Sequence, residues 1–286
     1  MIIAGDKMET VDDRTLFKNK LKYLKKPYTI KSYNEIIQIL LKEGYAFKSF
    51  ALKQISGKTI FLRHDIDYSL NWAEKLAKIN NQLGAKGTFF FQLRSGMYNL
   101  FSFDGLKILR KIIDYGQYIG FHLTLSSEQD TYEKINLLLK HDFNVFKSLV
   151  PECEAVFAWH NPGIAFINDK QLMERNFKGF VNAYGHFANG KYPYYADSNM
   201  RYEVMEILDI IKSGEKVFQL ALAPMQWISG HNNMASILIS TISQKLKDMD
   251  SEFMTNYVFK EIFRDGIPHS ALNEFEKILS DLWKRR

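Results

Sequence analysis

Two rhythms of apolar and polar positions alternate along this chain. Short, nearly continuous apolar runs recur: TIFLRHDID (59–67), GTFFFQL (87–93), QYIGFHL (117–123) and AVFAWH (155–160). Each is short and bounded by turn or polar residues, which predicts a buried strand. Between them lie stretches with apolar residues three and four apart, the spacing of one helix face. Ser32 with the following IIQILLKEGY predicts a capped helix ending near Gly44. SLNWAEKLAKINNQLGA predicts a helix with Trp72, Leu76 and Ile79 or Leu83 on its apolar face. FDGLKILRKIIDYG and EKINLLLKHDFNVFKSL predict two more helices. GFVNAYG, KYPYYADS and KVFQLALAP read as further short strands. Strands returning about every 30 residues with helices between them predict a mainly parallel α/β sheet, open or closed into a barrel.

That pattern places the polar residues. Arg63, Asp65 and Asp67 close one strand; His122 closes another; His160 and Asn161 close the next; Asp197 and Ser198 follow a later one. In parallel α/β folds chemistry gathers at these strand ends. Residues two apart on a strand share a face, so Arg63, Asp65 and Asp67 point the same way. Two adjacent carboxylates repel unless a cation lies beside them. A divalent ion on Asp67 would leave Asp65 ionised and free to take a proton from water. The alternative is a structural ion pair between Arg63 and an aspartate that caps the next helix. His122 could be a core histidine or a metal ligand, and His160 a turn residue or a ligand. His64 faces the other way and reads as a supporting or structural residue, and His141 as a surface one.

Composition narrows the classes. The 286 residues are 46% hydrophobic and 24% charged, enough for a large core and against disorder. The net charge of +6 is spread, densest in KNKLKYLKK (18–26) and WKRR (283–286). No nucleic-acid-binding signature or phosphate-binding loop accompanies it, so no nucleic-acid partner is expected. One cysteine, Cys153, excludes an intramolecular disulfide. No apolar stretch reaches membrane-span length, and the first residues lack a signal-peptide core, which together predict a cytoplasmic protein.

The order RHDID, LGAKGTFFF, GQYIGFH, FAWHNPG, YYADSNMRY and QLALAPMQW resembles the polysaccharide deacetylase family, also called NodB-homology or carbohydrate esterase family 4, in its branch with an RHDVD-type first motif. The resemblance covers roughly residues 30 to 235. It implies a distorted (β/α) barrel of about seven strands, expected here as one domain over 30–286 behind an N-terminal extension at 1–29, with helical extensions at both ends. It implies a divalent metal, commonly zinc, and removal of acyl groups from sugars. It makes Asp65 the catalytic base, Asp67 and His122 metal ligands, and Asp197 and Ser198 groove residues, while Asn161 and Pro162 fall where the family has an arginine-proline motif. Three family parts are missing. The second metal histidine is replaced by Ser126, the general-acid histidine by Ala223, and the third-motif arginine is absent. By proximity at strand ends, His160 is expected as the third ligand and Arg63 as the arginine beside the base. His186 and His231 remain as candidate proton donors.

The reading is therefore a metal-dependent deacylase acting on an N-acylated sugar, nucleotide-linked, lipid-linked or oligosaccharide, in bacterial surface glycan biosynthesis. Asn161, Asp197, Ser198, Trp159 and Trp227 are its expected substrate contacts, with Tyr194 and Tyr195 as further stacking candidates. The alternatives are a catalytically degenerate sugar-binding or scaffolding protein of the same family, and a barrel metal hydrolase of another substrate class.

Overall fold

The computed structural model describes residues 27–52, 54–125, 131–161, 177–185, 192–200 and 203–262, with 273, 274, 276–278 and 281 beyond them. Ser126, Pro162, His186 and most of the expected N-terminal extension lie outside these residues. The chain divides into two compact units, 1–228 and 229–286, so the barrel unit ends at Ile228 inside the span expected as one domain.

In the first unit the elements run α1 (Ile30–Lys42), β1 (Ala46–Phe47), β2 (Thr59–Ile66), α2 (Leu70–Leu83), β3 (Thr88–Phe91), α3 (Phe103–Asp114), β4 (Tyr118–Thr124), α4 (Tyr132–Leu149), β5 (Val156–His160), β6 (Val181–Asn182), β7 (Tyr194–Ala196), α5 (Val204–Lys212), β8 (Val217–Ala221) and α6 (Pro224–Ile228). All strand pairs are parallel, in the order β6-β5-β4-β3-β2-β8-β7, with the two-residue β1 beside the start of β2. The seven ordered strands form a curled half-barrel wrapped by helices, the expected distorted (β/α) barrel. The curl brings the two ends of the sheet together: Tyr184, just past β6, lies 5.9 Å ring to ring from Tyr194 in β7.

The helices start and stop for local reasons. Thr29, rather than Ser32, caps α1, because Ser32 is already inside the first turn and donates its N–H to the Thr29 hydroxyl. Ser69 caps α2, and Gly84 ends it with φ 78°, a left-handed backbone that glycine adopts without a Cβ penalty. The buried face of α2 is Leu70, Ala73, Leu76, Ala77 and Asn80. Trp72, expected on that face, is displaced from it and only half-buried.

Alternation along β2 sorts the core into two layers. Ile60, Leu62, His64 and Ile66 face the helices. Phe61, Arg63 and Asp65 face the barrel interior, where Phe61 meets Phe50 and Phe50 meets Phe90. His64 is fully buried, its Nδ1 2.6 Å from Leu222 O and its Nε2 3.1 Å from Asn80 Nδ2. Its hydrogen-bond partners are thus core groups. His141 is exposed at 69%, with Nδ1 3.1 Å from Asp142. In the second unit α7 spans Met234–Phe253 and α8 Tyr257–Ile262. Among the described residues no helix is long and apolar enough to cross a membrane.

Candidate metal centre

The barrel-facing row of β2 climbs from apolar to charged. Above Phe61 sits Arg63, fully buried, with Nε and Nη2 each donating at 2.7 Å to the two oxygens of Asp65. Two parallel N–H bonds make this the strongest geometry available to an arginine–carboxylate pair. The guanidinium lies 4.4 Å from the centre of the Tyr184 ring, and Nη2 is 3.1 Å from the Tyr184 hydroxyl. Burial pushes the Asp65 carboxyl up, but Arg63 and the neighbouring imidazole of His122 outweigh burial and hold it below the ordinary carboxylate range.

One step further, Asp67 meets the two histidines from the next strand ends. Its Oδ1 lies 3.3 Å from His122 Nε2 and 3.6 Å from His160 Nε2, and the rings of the histidines are 5.0 Å apart. One ligand atom from each of the three residues falls within 4.8 Å of the others. His122 Nε2 is also 3.8 Å from Asp65 Oδ2. Both imidazoles are oriented from behind. His122 Nδ1 is 3.1 Å from Ala158 O, which can only accept, so Nδ1 carries the hydrogen and the Nε2 lone pair faces the carboxylates. His160 Nδ1 is 3.3 Å from Thr124 Oγ1.

The donor set fits a zinc-type ion. Bonds of about 2.0–2.1 Å at tetrahedral angles put neighbouring ligand atoms about 3.3–3.4 Å apart. The two edges from Asp67 Oδ1 to the imidazoles, 3.3 and 3.6 Å, lie close to that spacing. Three protein ligands leave a fourth position open, the pattern of catalytic rather than structural sites. Burial disfavours a charged His122, yet Asp65 and Asp67 together raise it above the ordinary imidazole value. Burial and the neighbouring His122 lower His160.

Other residues expected at the site are placed differently. Trp159 and Trp227 are each 1% exposed. Trp159 packs edge-on against Phe157 and Phe177, and Trp227 packs against Tyr28 and Tyr33, so neither presents a face to a sugar. Asp197 is 4% exposed, and its Oδ2 accepts from the Ala223 backbone N–H at 2.8 Å and from Trp227 Nε1 at 3.0 Å. Burial pushes its carboxyl up to about 8 against the pull of those two donors. Asn161 is exposed, has φ 41°, and places Nδ2 3.0 Å from His160 Nε2. Ser198 begins a short 3-10 turn at Ser198–Met200. His231 belongs to the second unit.

Two groups at the centre escape the sequence reading. Gln92, the first residue past β3, donates Nε2 to Asp67 Oδ1 at 3.1 Å. Its signal is positional, since it ends a strand between those of Asp67 and His122. Tyr184 carries no comparable signal in NAYG. A small, open cleft lies beside the carboxylates, lined by Asp65, Asp67, Tyr68, Trp72, Pro224 and Met225 among others.

No family model matches the sequence, and no curated protein matches it. Solved structures do show a likeness in fold. A carbohydrate esterase family 4 pseudoenzyme from Bacillus anthracis aligns at 12% identity over 71% of this chain and 65% of its own, just under two thirds, with a TM-score of 0.41. The chitin deacetylase from Colletotrichum lindemuthianum aligns at 10% identity over 71% of this chain and 87% of its own, TM-score 0.41. A Streptococcus pyogenes deacetylase in complex with acetate aligns at 13% identity over 73% and 89%, TM-score 0.40.

Proposed function

We propose that this chain is a divergent polysaccharide deacetylase-type hydrolase that cleaves an N-acyl group from a sugar, with a divalent ion, zinc first, held by Asp67, His122 and His160. The observation that carries the reading is the convergence of these three residues from β2, β4 and β5, with Asp65 beside them at 3.8 Å from His122 Nε2. A bound divalent ion supplies Lewis-acid polarisation of the acyl carbonyl and makes water more acidic.

The chain's own groups do the rest. Asp65 takes the proton of the attacking water at a carboxylate that Arg63 keeps ionised and fixed in direction. Arg63 thus fills the place beside the base that the missing third-motif arginine would hold. His160 does the same for the histidine replaced by Ser126. Ala223 carries no side-chain proton donor, and its backbone N–H is bound to Asp197. In this reading the proton gained by Asp65 passes to the leaving amine nitrogen, so a single carboxyl acts as base and then as acid. Trp72 and Tyr68, at the cleft beside the carboxylates, replace Trp159 and Trp227 as the aromatic surfaces for a sugar ring.

The test is turnover of N-acetylated and N-formylated sugars by the zinc-loaded chain. Release of acetate or formate that disappears in Asp65→Asn supports the reading. A chain that binds the ion and sugars but turns none of them over is instead a binding protein built on this fold.

A further inference from the structure

Gln92 is 4% exposed and stands between two of the proposed ligands. It follows β3, the strand paired to β2 on one side and β4 on the other. Its Nε2 donates to Asp67 Oδ1 at 3.1 Å on the β2 side, and its Oε1 accepts a long bond from Thr124 Oγ1 at 3.5 Å on the β4 side. The Thr124 oxygen lies in turn 3.3 Å from His160 Nδ1. A primary amide suits this position because it offers a donor and an acceptor on one rigid group. A carboxylate would repel Asp67, and an apolar side chain would reach neither neighbour. The backbone holds the amide in place. Gln92 N–H donates to the Tyr98 hydroxyl at 2.9 Å, and that hydroxyl donates to Ile66 O at 2.7 Å, one residue before Asp67.

We infer that Gln92 is a positioning residue that fixes two metal ligands at once: Asp67 directly and His160 through Thr124. This rests on the metal reading above. Its hydrogen bond lies on Oδ1, the same oxygen that faces both imidazoles, so it sets the direction of the lone pair offered to the ion. The line through Thr124 sets the ring of His160, the ligand drawn from β5 where the related sequence position, Ser126, offers no imidazole. A chain that takes its third ligand from a different strand needs a link across β3, and Gln92 supplies that link.

The experiment measures zinc and cobalt dissociation constants by chelator competition, on full-length parent, Gln92→Met, Gln92→Asn, Thr124→Val and Asp67→Ala, with apo-protein melting temperatures alongside. Met fills the volume without an amide, and Asn withdraws the amide by one methylene. Both are expected to bind metal about 10- to 100-fold more weakly, the usual effect of losing a group that orients a ligand. Their apo melting temperatures should stay near that of the parent, which separates positioning from general destabilisation. Thr124→Val should show a smaller loss and a changed cobalt absorption spectrum, since only the His160 arm is cut. Should a Gln92 variant fail to fold, Thr124→Val alone tests the link, because it leaves the Asp67 arm intact. Parent-like affinity in the variants that fold, with affinity lost in Asp67→Ala, overturns the role of Gln92 and leaves the metal centre standing. Parent-like affinity in Asp67→Ala overturns the metal centre itself.

Discussion

A step of two residues along β2 changes what the barrel interior can do, from Phe61 in the apolar plug, to Arg63, to Asp65, to Asp67 at the rim. Asp65 and Asp67 are the same residue type with different partners, and they should fail differently. Asp65 is gripped by Arg63, whereas Asp67 faces Gln92 and two imidazoles. Asp65→Asn should keep the fold and the ion but lose deacylation by about 100-fold or more, the scale of a lost general base. Asp67→Asn should lose the ion. Either way Asp65→Asn leaves the buried Arg63 guanidinium without its charge partner and costs about 3–5 kcal/mol of stability; a purely structural pair adds no selective loss of turnover in the folded, metal-loaded variant. Melting temperature, metal content and turnover of both variants distinguish these outcomes.

At the scale of elements, the centre depends on how closely β3 and β4 pack. A Cβ on Gly120 would lie 2.8 Å from the Phe90 ring and 3.0 Å from Val156 O, below ordinary contact. Phe90 in turn supports Arg63, whose guanidinium is 5.6 Å from its ring centre. Gly120→Ala should therefore destabilise the chain by about 1–3 kcal/mol, the range for overpacked cores, read from urea midpoints. The cost should shrink, though not vanish, in a Phe90→Leu background, because the closest clash is with that ring while the Val156 O contact remains. These elements were legible in the sequence because each strand is a short apolar run and each helix a clear 3.6-residue period. Four positions were not. Ser32 read as the cap of α1, but Thr29 and Ser32 are both capping residues three apart and pattern alone does not choose between them. Trp72 read as core by spacing, yet α2 buries the face of Leu70, Ala73, Leu76, Ala77 and Asn80 and leaves the indole at the cleft. Trp159 and Trp227 read as sugar-stacking surfaces, and burial, which sequence does not display, puts both inside.

For the molecule as a whole, pH should act through His64. Its imidazole is buried, hydrogen-bonded to Leu222 O and Asn80, and burial lowers its pKa to about 4 from an ordinary 6.5. The folded state thus favours the neutral ring. Its contribution is complete above pH 6.5 and is lost as pH falls towards 4, by about 3 kcal/mol across the window. Asp197, raised to about 8, has the opposite sign: its contribution is full below the ordinary carboxylate value and falls as pH rises towards 8. In the difference between parent and His64→Asn the Asp197 contribution is common and drops out. That difference in unfolding free energy should shrink as pH falls from 6.5 to 4; a flat difference would mean His64 titrates as it does in the unfolded chain. The site as a whole was legible further than its parts. Asp65, Asp67, His122 and His160 stood out because they are ionisable groups at the ends of apolar strands. Gln92, Thr124 and Tyr184 carry no charge and emerged only when the strands were set side by side.

In the proposed centre the ends of β2, β4 and β5 each give one ligand to one ion. Its most direct test is metal content of the full-length protein purified without chelator, set beside Asp67→Ala, His122→Ala and His160→Ala prepared in the same way. The parent should carry about one divalent ion per chain, each of the three variants should carry far less, and all should remain folded. Full occupancy in His160→Ala would remove that residue from the ion, and parent-like content in all three would contradict the account.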